Sequence, residues 1–201
     1  MIKIIKDIDL FDHVSEYDVN LVGTNIYGTM ANGFQYKVML DYPYVFNKNL
    51  ETRYGDETKL GTLLECADDG SPTFCLCYIV KGNFRPYQFK DYLDYDALEK
   101  CLRLVNIKYK GKNIACPLLG CSRFDGNGDI EKVMDIFNAC LKDANVTIYD
   151  YHQKSRNEEV LETFRHEMKV RENDRDEYYK LVSIRKKKEA ERLMKNGHRK
   201  R

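Results

Sequence analysis

The stretch "VNLVGTNIYGTMANGFQYKVMLDYP" (19–43) decides the fold. Its first seven residues, "VNLVGTN", form an apolar run of strand length that reads as a buried strand. Glycines follow at 28 and 33 among small polar residues. From Ala31, the residues Phe34, Val38 and Tyr42 recur at helical spacing until Pro43 stops the pattern. The stretch is thus a strand running through a glycine-bearing loop into a helix.

The same pattern recurs outward from it. "IKII" (2–5) reads as a strand before it. "KLGTLLE" (59–65) and "FCLCYIVK" (74–81) read as two strands joined by the hairpin turn "ADDGSP". "GNFRPYQFK" (82–90) is a loop, and Leu93, Ala97, Cys101, Leu102 and Val105 mark an amphipathic helix. "NIACPLLG" (113–120) suits a central strand, with Pro117 at its end or at a bulge. "CSRFDGNG" (121–128) is a second glycine-bearing loop. Val133, Ile136, Phe137, Cys140 and Leu141 give a clean helical stripe, and "NVTIYDY" (145–151) is a last strand. Buried runs alternating with amphipathic helices predict an α/β domain on a substantially parallel sheet.

The chain has 201 residues, 43% of them hydrophobic, enough for one domain and a tail. Its net charge of +1 hides an asymmetry. Residues 1–151 carry 17 basic and 22 acidic side chains, whereas residues 152–201 carry 16 and 10. The expected organisation is a slightly acidic domain at 1–151 and a charged, helix-prone basic tail at 152–201. From Lys180 onward 10 basic residues face only Glu189 and Glu191, a composition that can contact nucleic acid non-specifically. A solvated helix face is the plainer alternative.

No apolar run reaches the ~20 residues needed to span a bilayer, and "MIKIIKDIDLFD" is too charged for a signal peptide. The seven cysteines (66, 75, 77, 101, 116, 121 and 140) fall mostly in apolar segments. They predict reduced, buried thiols in a cytoplasmic protein with no bound metal, because C-x-C is not zinc spacing. Nothing requires a cofactor, and the oligomeric state is open.

Two loops, Asn25–Gly33 and Gly120–Gly128, leave strand ends and enter helices. In open α/β sheets ligands bind beyond the carboxyl ends of the strands, and helix N-termini there favour anions. Two such loops suit a diphosphate. Neither is a Walker loop nor G-x-G-x-x-G.

The stretch 19–43 resembles the opening of a macrodomain. The likeness is best to the branch holding the yeast-type ADP-ribose 1''-phosphate phosphatase, the terminal ADP-ribose protein glycohydrolase and the antitoxins that free DNA bases of ADP-ribose. Asn25, Gly28, Met30 and Gly33 match that branch's loop, while Ala31 and Gln35 stand where it has Gly and Ala. "YGDETKLGTLLE" (54–65), "CYIVKGNFRP" (77–86), "IACPLLGCSRFDGNGDIEKV" (114–133) and "VTIYDY" (146–151) resemble its later blocks in order and spacing. The resemblance covers 1–151 and implies a three-layer α/β/α sandwich on a mixed, largely parallel sheet, with ADP-ribose or an ADP-ribosylated macromolecule in a cleft at the strand ends.

It also implies site residues. Asp7 and Ile8 would hold the adenine end, with Asp9 and Leu10 fitting almost as well. Asn25 would face the distal ribose. Gly28, Thr29, Met30, Ala31, Asn32 and Gly33 would wrap that ribose and a phosphate. Gly120, Cys121, Ser122, Arg123, Phe124, Asp125 and Gly126 would close from the other side. Lys81, followed by Phe84 and Arg85, matches the catalytic lysine of the glycohydrolase members. In a partly desolvated cleft it could attack C1'' of the distal ribose as a neutral amine, or serve instead as a proton-transfer or charge-stabilising group. Asp125 is the second candidate, and Lys81, Asp125 and Asn25 make the implied catalytic set. The implied activity is hydrolysis of ADP-ribosyl bonds. The alternatives are an ADP-ribose 1''-phosphate phosphatase, weakened by Val22 where that enzyme has a histidine, and a non-catalytic ADP-ribose reader.

Overall fold

A computed structural model describes residues 2–30, 33–82, 92–122 and 126–151. The tail at 152–201, with the proposed nucleic-acid contact, lies outside the described residues. So do Phe84, Arg85 and Ala31, where the helical spacing was expected to begin.

Six strands form one sheet: β1 (Ile2–Lys6), β2 (Val19–Asn25), β3 (Leu63–Cys66), β4 (Phe74–Val80), β5 (Asn113–Pro117) and β6 (Asn145–Asp150). Their order is β1-β6-β5-β2-β4-β3, and every pair is parallel except the β3–β4 hairpin. β2 and β4 sit in the middle and are buried along their whole length. Both faces of these strands must therefore be covered, and two sets of helices cover them.

On one face, Leu21, Cys77 and Ile79 pack with Leu98, Leu102 and Val105 of α3 (Tyr95–Lys108) and with Val133 and Phe137 of α4 (Ile130–Cys140). On the other, Val22, Phe74 and Leu76 pack with Val38 of α1 (Gly33–Asp41), Val45 of α2 (Pro43–Leu50), and Leu10 and Val14 of a 3-10 helix at Leu10–Glu16. The result is three layers, helices on both faces of a mixed sheet. Asp94 and Asp129 cap α3 and α4, accepting the N–H of Ala97 at 3.0 Å and of Lys132 at 2.9 Å.

Three local expectations are corrected. Pro43 ends one helix but also starts the next, because proline at the first helical position loses no hydrogen bond. The expected strand at 59–65 shortens to Leu63–Cys66, since Gly61 turns the chain at φ +77° after a short 3-10 turn at Glu57–Lys59. The 3-10 helix at 10–16 has no counterpart in the sequence reading, although Leu10 and Val14 carry its apolar spacing. All seven cysteines are free thiols. Among the described residues no helix is long and apolar enough to cross a membrane.

Candidate functional site

The parallel strands all end at the same edge of the sheet. The chain leaves β2 towards α1 and α2 on one face, and leaves β4 and β5 towards α3 and α4 on the other. Loops that part in this way open a crevice beyond the end of β2, where open α/β sheets bind ligands. The described parts of the expected segments leave the sheet at that edge: Asn25–Met30 after β2, Lys81 after β4 and Gly120–Ser122 after β5.

Asn25 shapes its own loop. Its side-chain oxygen accepts the N–H of Tyr27 at 3.0 Å, and its amide donates to the Thr29 hydroxyl at 2.9 Å. The side chain is thus an Asx-type brace, and its contribution to a ligand passes chiefly through the loop it sets. Gly28 follows at φ +66°, and a Cβ there would come within 3.0 Å of the Asn49 amide. Asn49, fully buried on α2, donates to the Gly28 carbonyl at 3.3 Å and accepts from the Tyr78 hydroxyl at 2.7 Å. Thr52 donates to the Asn49 carbonyl at 2.7 Å, and Lys59 donates to the Thr52 hydroxyl at 3.1 Å. Burial depresses the Lys59 ammonium, against the pull of Asp56. This buried polar network beneath the loop escaped the sequence reading.

Met30 is corrected. It adopts φ +40°, and its side chain is fully buried in the core with Val22 and Val38, so only its backbone can meet a ligand. Thr29 is half-buried, and Gly33 is exposed at φ +55°, with open space where its Cβ would stand. Ala31 and Asn32 lie outside the described residues.

The second loop is tightly made. The Gly126 carbonyl accepts the N–H of Tyr92 at 2.9 Å and of Leu93 at 3.1 Å, and Gly128 N–H donates to the Gly120 carbonyl at 2.9 Å. Gly126 approaches Gly120 so closely that a Cβ would lie 2.4 Å from its carbonyl oxygen. Cys121 is half-buried and Ser122 exposed, with the Ser122 carbonyl taking the N–H of both Gly126 and Asn127. Arg123, Phe124 and Asp125 lie outside the described residues.

Lys81 is paired with a carboxylate. Its ammonium is 2.8 Å from the Asp94 carboxylate, and 64% of its side chain is exposed. The Asp94 hydrogen bond and charge push it above the ordinary lysine value. In this arrangement the carboxylate outweighs the opposing effect of burial and favours the protonated form of Lys81. The side chain is thus a paired cation at a strand end. Asp94 was missed, though an Asp three residues before an apolar helical stripe is a cap signal.

Asp7 and Ile8 are exposed at the end of β1, with Asp7 at φ +59°. The Asp7 carboxylate has no partner among the described residues. Asp9 is engaged, capping the 3-10 helix through Phe11 N–H and pairing with Lys37, and Leu10 is buried. Of the two candidates, only Asp7 is available. β1 lies three strands from β2, about 14 Å at the usual ~4.8 Å strand spacing. Val22 is buried in the core and cannot face the crevice. Among the described residues no group of three or more acidic, histidine or cysteine side chains could hold a metal ion.

No family model matches the chain, and no curated protein does. Solved structures do. The macrodomain of Mycobacterium tuberculosis DarG is 20% identical, with a TM-score of 0.56 over 76% of this chain and 99% of that one. The fold is a macrodomain fold. Thermosipho africanus DarTG, solved in complex with ADP-ribose, is also 20% identical, with a TM-score of 0.55 over 77% of this chain and 43% of that one. A protein of unknown function from Bacteroides thetaiotaomicron is 18% identical, with a TM-score of 0.57 over 75% and 98%. At these identities the likeness is one of fold, and the macrodomain frame carries no residue roles with it.

Proposed function

We propose that residues 1–151 bind ADP-ribose along the shared strand edge and hydrolyse ADP-ribosyl bonds at C1'' of the distal ribose. One observation carries the reading: the residues that follow β2, β4 and β5, namely Asn25–Met30, Lys81 and Gly120–Ser122, leave the same edge of the sheet and lead to helices on both of its faces. Support comes also from the fold's likeness to a DarTG structure that contains ADP-ribose and from the sequence's resemblance to the glycohydrolase branch.

In this reading Asp7 takes the adenine end and the two glycine loops enclose the diphosphate and ribose. Backbone N–H groups at the start of α1 face negative charge. As the C1'' bond lengthens, the departing group gains negative charge beside the Lys81 ammonium, which stabilises it. Water adds to C1'', and Asp125, assigned by resemblance alone, takes its proton. Asp125 passes that proton on to the departing group, giving free ADP-ribose and the restored macromolecule. Substrates are ADP-ribosylated protein or nucleic acid, and the basic tail at 152–201 would contact the latter.

A non-catalytic reader is the second reading. The exposed, already paired state of Lys81 favours it. Calorimetry with ADP-ribose, followed by assays on ADP-ribosylated protein, ADP-ribosylated DNA and ADP-ribose 1''-phosphate, separates the cases. ADP-ribose binding with release from one macromolecular substrate supports the hydrolase. Binding without turnover leaves the reader, and release of phosphate alone would point to the phosphatase.

A further inference from the structure

We propose that Asp94 is a positioning residue for Lys81, pinning the ammonium to the N-cap of α3 so that it acts as a fixed cation at the crevice. The proposal rests on the hydrolase reading and deepens it.

The geometry is more than a chance surface pair. One Asp94 carboxylate oxygen accepts the Ala97 N–H at 3.0 Å, and the other takes the Lys81 ammonium at 2.8 Å. Only 13% of the Asp94 side chain is exposed. Both backbones are fixed as well. Asp94 N–H donates to the Ile79 carbonyl at 2.8 Å, and Lys81 N–H donates to the Tyr92 carbonyl at 3.2 Å. Val80 and Leu93 form an antiparallel bridge between them. A short ladder thus ties the end of β4 to the start of α3, with the ion pair at its side.

The ladder continues into the second glycine loop, because Tyr92 and Leu93 both donate to the Gly126 carbonyl. Lys81, the α3 cap and Gly126 at the end of that loop are therefore joined by backbone hydrogen bonds. A ligand seated against that loop meets a lysine whose position is already set. The carboxylate is itself steadied by the free N–H groups and partial positive charge of the helix start. Among the described residues the other carboxylates acting on Lys81 are Asp96 of α3 and Glu57 before β3, and neither is hydrogen-bonded to it.

A plain helix cap would show the same bond to Ala97, so the test must keep the cap. Asn and Ser cap about as well as Asp, so Asp94→Asn and Asp94→Ser retain that role. Asp96→Asn removes a neighbouring carboxylate without touching the Lys81 bond. Lysine side-chain NMR titration of the protein without substrate, assigned with Lys81→Arg, reads the Lys81 pKa directly. Turnover of the ADP-ribosylated macromolecule is measured across pH alongside it.

The expected result is a Lys81 pKa lowered in both Asp94 variants and lowered less in Asp96→Asn, since Asp96 acts on the ammonium without a hydrogen bond. Thermal midpoints above about pH 5 fall modestly in the Asp94 variants with the loss of the ion pair, kcat falls ten-fold or more, and KM changes little. Wild-type turnover unchanged in both Asp94 variants would overturn the proposal. So would faster turnover at neutral pH in those variants, since a freed lysine would then be the nucleophile. Absence of turnover by wild type would sink the hydrolase reading and the catalytic role of Asp94 with it, whereas the titration would still report whether the pair exists.

Discussion

The carbonyl of Gly28, in the loop after β2, accepts a hydrogen bond from the buried amide of Asn49, 21 residues away on α2. The same amide accepts from Tyr78 on β4, so one side chain joins the loop, a helix and the central sheet. Replacing Asn49 by Ala leaves a buried carbonyl and a buried hydroxyl short of partners. The expected cost is about 2 kcal/mol of stability, read by urea unfolding, with weaker ADP-ribose binding by calorimetry. Wild-type stability in Asn49→Ala would contradict this account of the loop.

The glycines divide by what surrounds them. At Gly126 an added methyl would meet the Gly120 carbonyl, so Gly126→Ala should cost about 2 kcal/mol or more by forcing backbone apart. At Gly33 it would enter open space, leaving only about 1 kcal/mol of left-handed backbone strain. That open space is where a ligand phosphate or ribose belongs in the proposed reading. Gly33→Ala should therefore lose at least ten-fold in ADP-ribose affinity while unfolding nearly as wild type. Undiminished affinity in Gly33→Ala would remove the ligand from this loop.

Acid stability should follow two carboxylates. Burial works to raise Asp94, but Lys81 and the helix N–H groups outweigh it and hold the carboxyl below the ordinary 3.8. The Tyr109 hydroxyl first, and Lys108 after it, hold Glu65 below its ordinary 4.5 against burial. Folded values below unfolded ones mean stability fully present above the unfolded values and lost as pH falls through the folded ones. Thermal midpoints should be level above about pH 5 and drop below it. Asp94→Asn should show a shallower acid slope. Equal slopes would show that the Lys81–Asp94 pair adds nothing to folding.

What the sequence made legible follows from burial. β2 and β4 are covered on both faces, so their continuous apolar runs mark them end to end, and Val19–Asn25 matches residue for residue. The Asp94 partnership was hidden because a ladder between Ile79 and Asp94 sets it, and no periodicity reports such a pairing. Asn49 was hidden because its helix starts at a proline read only as a stop. Met30 looked like part of a ligand loop, yet nothing local tells whether a loop methionine turns to solvent or into the core. Motif resemblance pointed to the strand-end edge of the sheet, and the side-chain geometry adds an Asp94 partner for Lys81.

The most direct measurement is the time course of free ADP-ribose release from an ADP-ribosylated macromolecule by wild type, Lys81→Arg and Lys81→Ala. A fixed cation predicts release by wild type, appreciable release by Lys81→Arg, and a fall of about 100-fold in Lys81→Ala, in line with loss of one electrostatic stabiliser. No release by wild type from protein or DNA, or equal release by Lys81→Ala, would contradict the account.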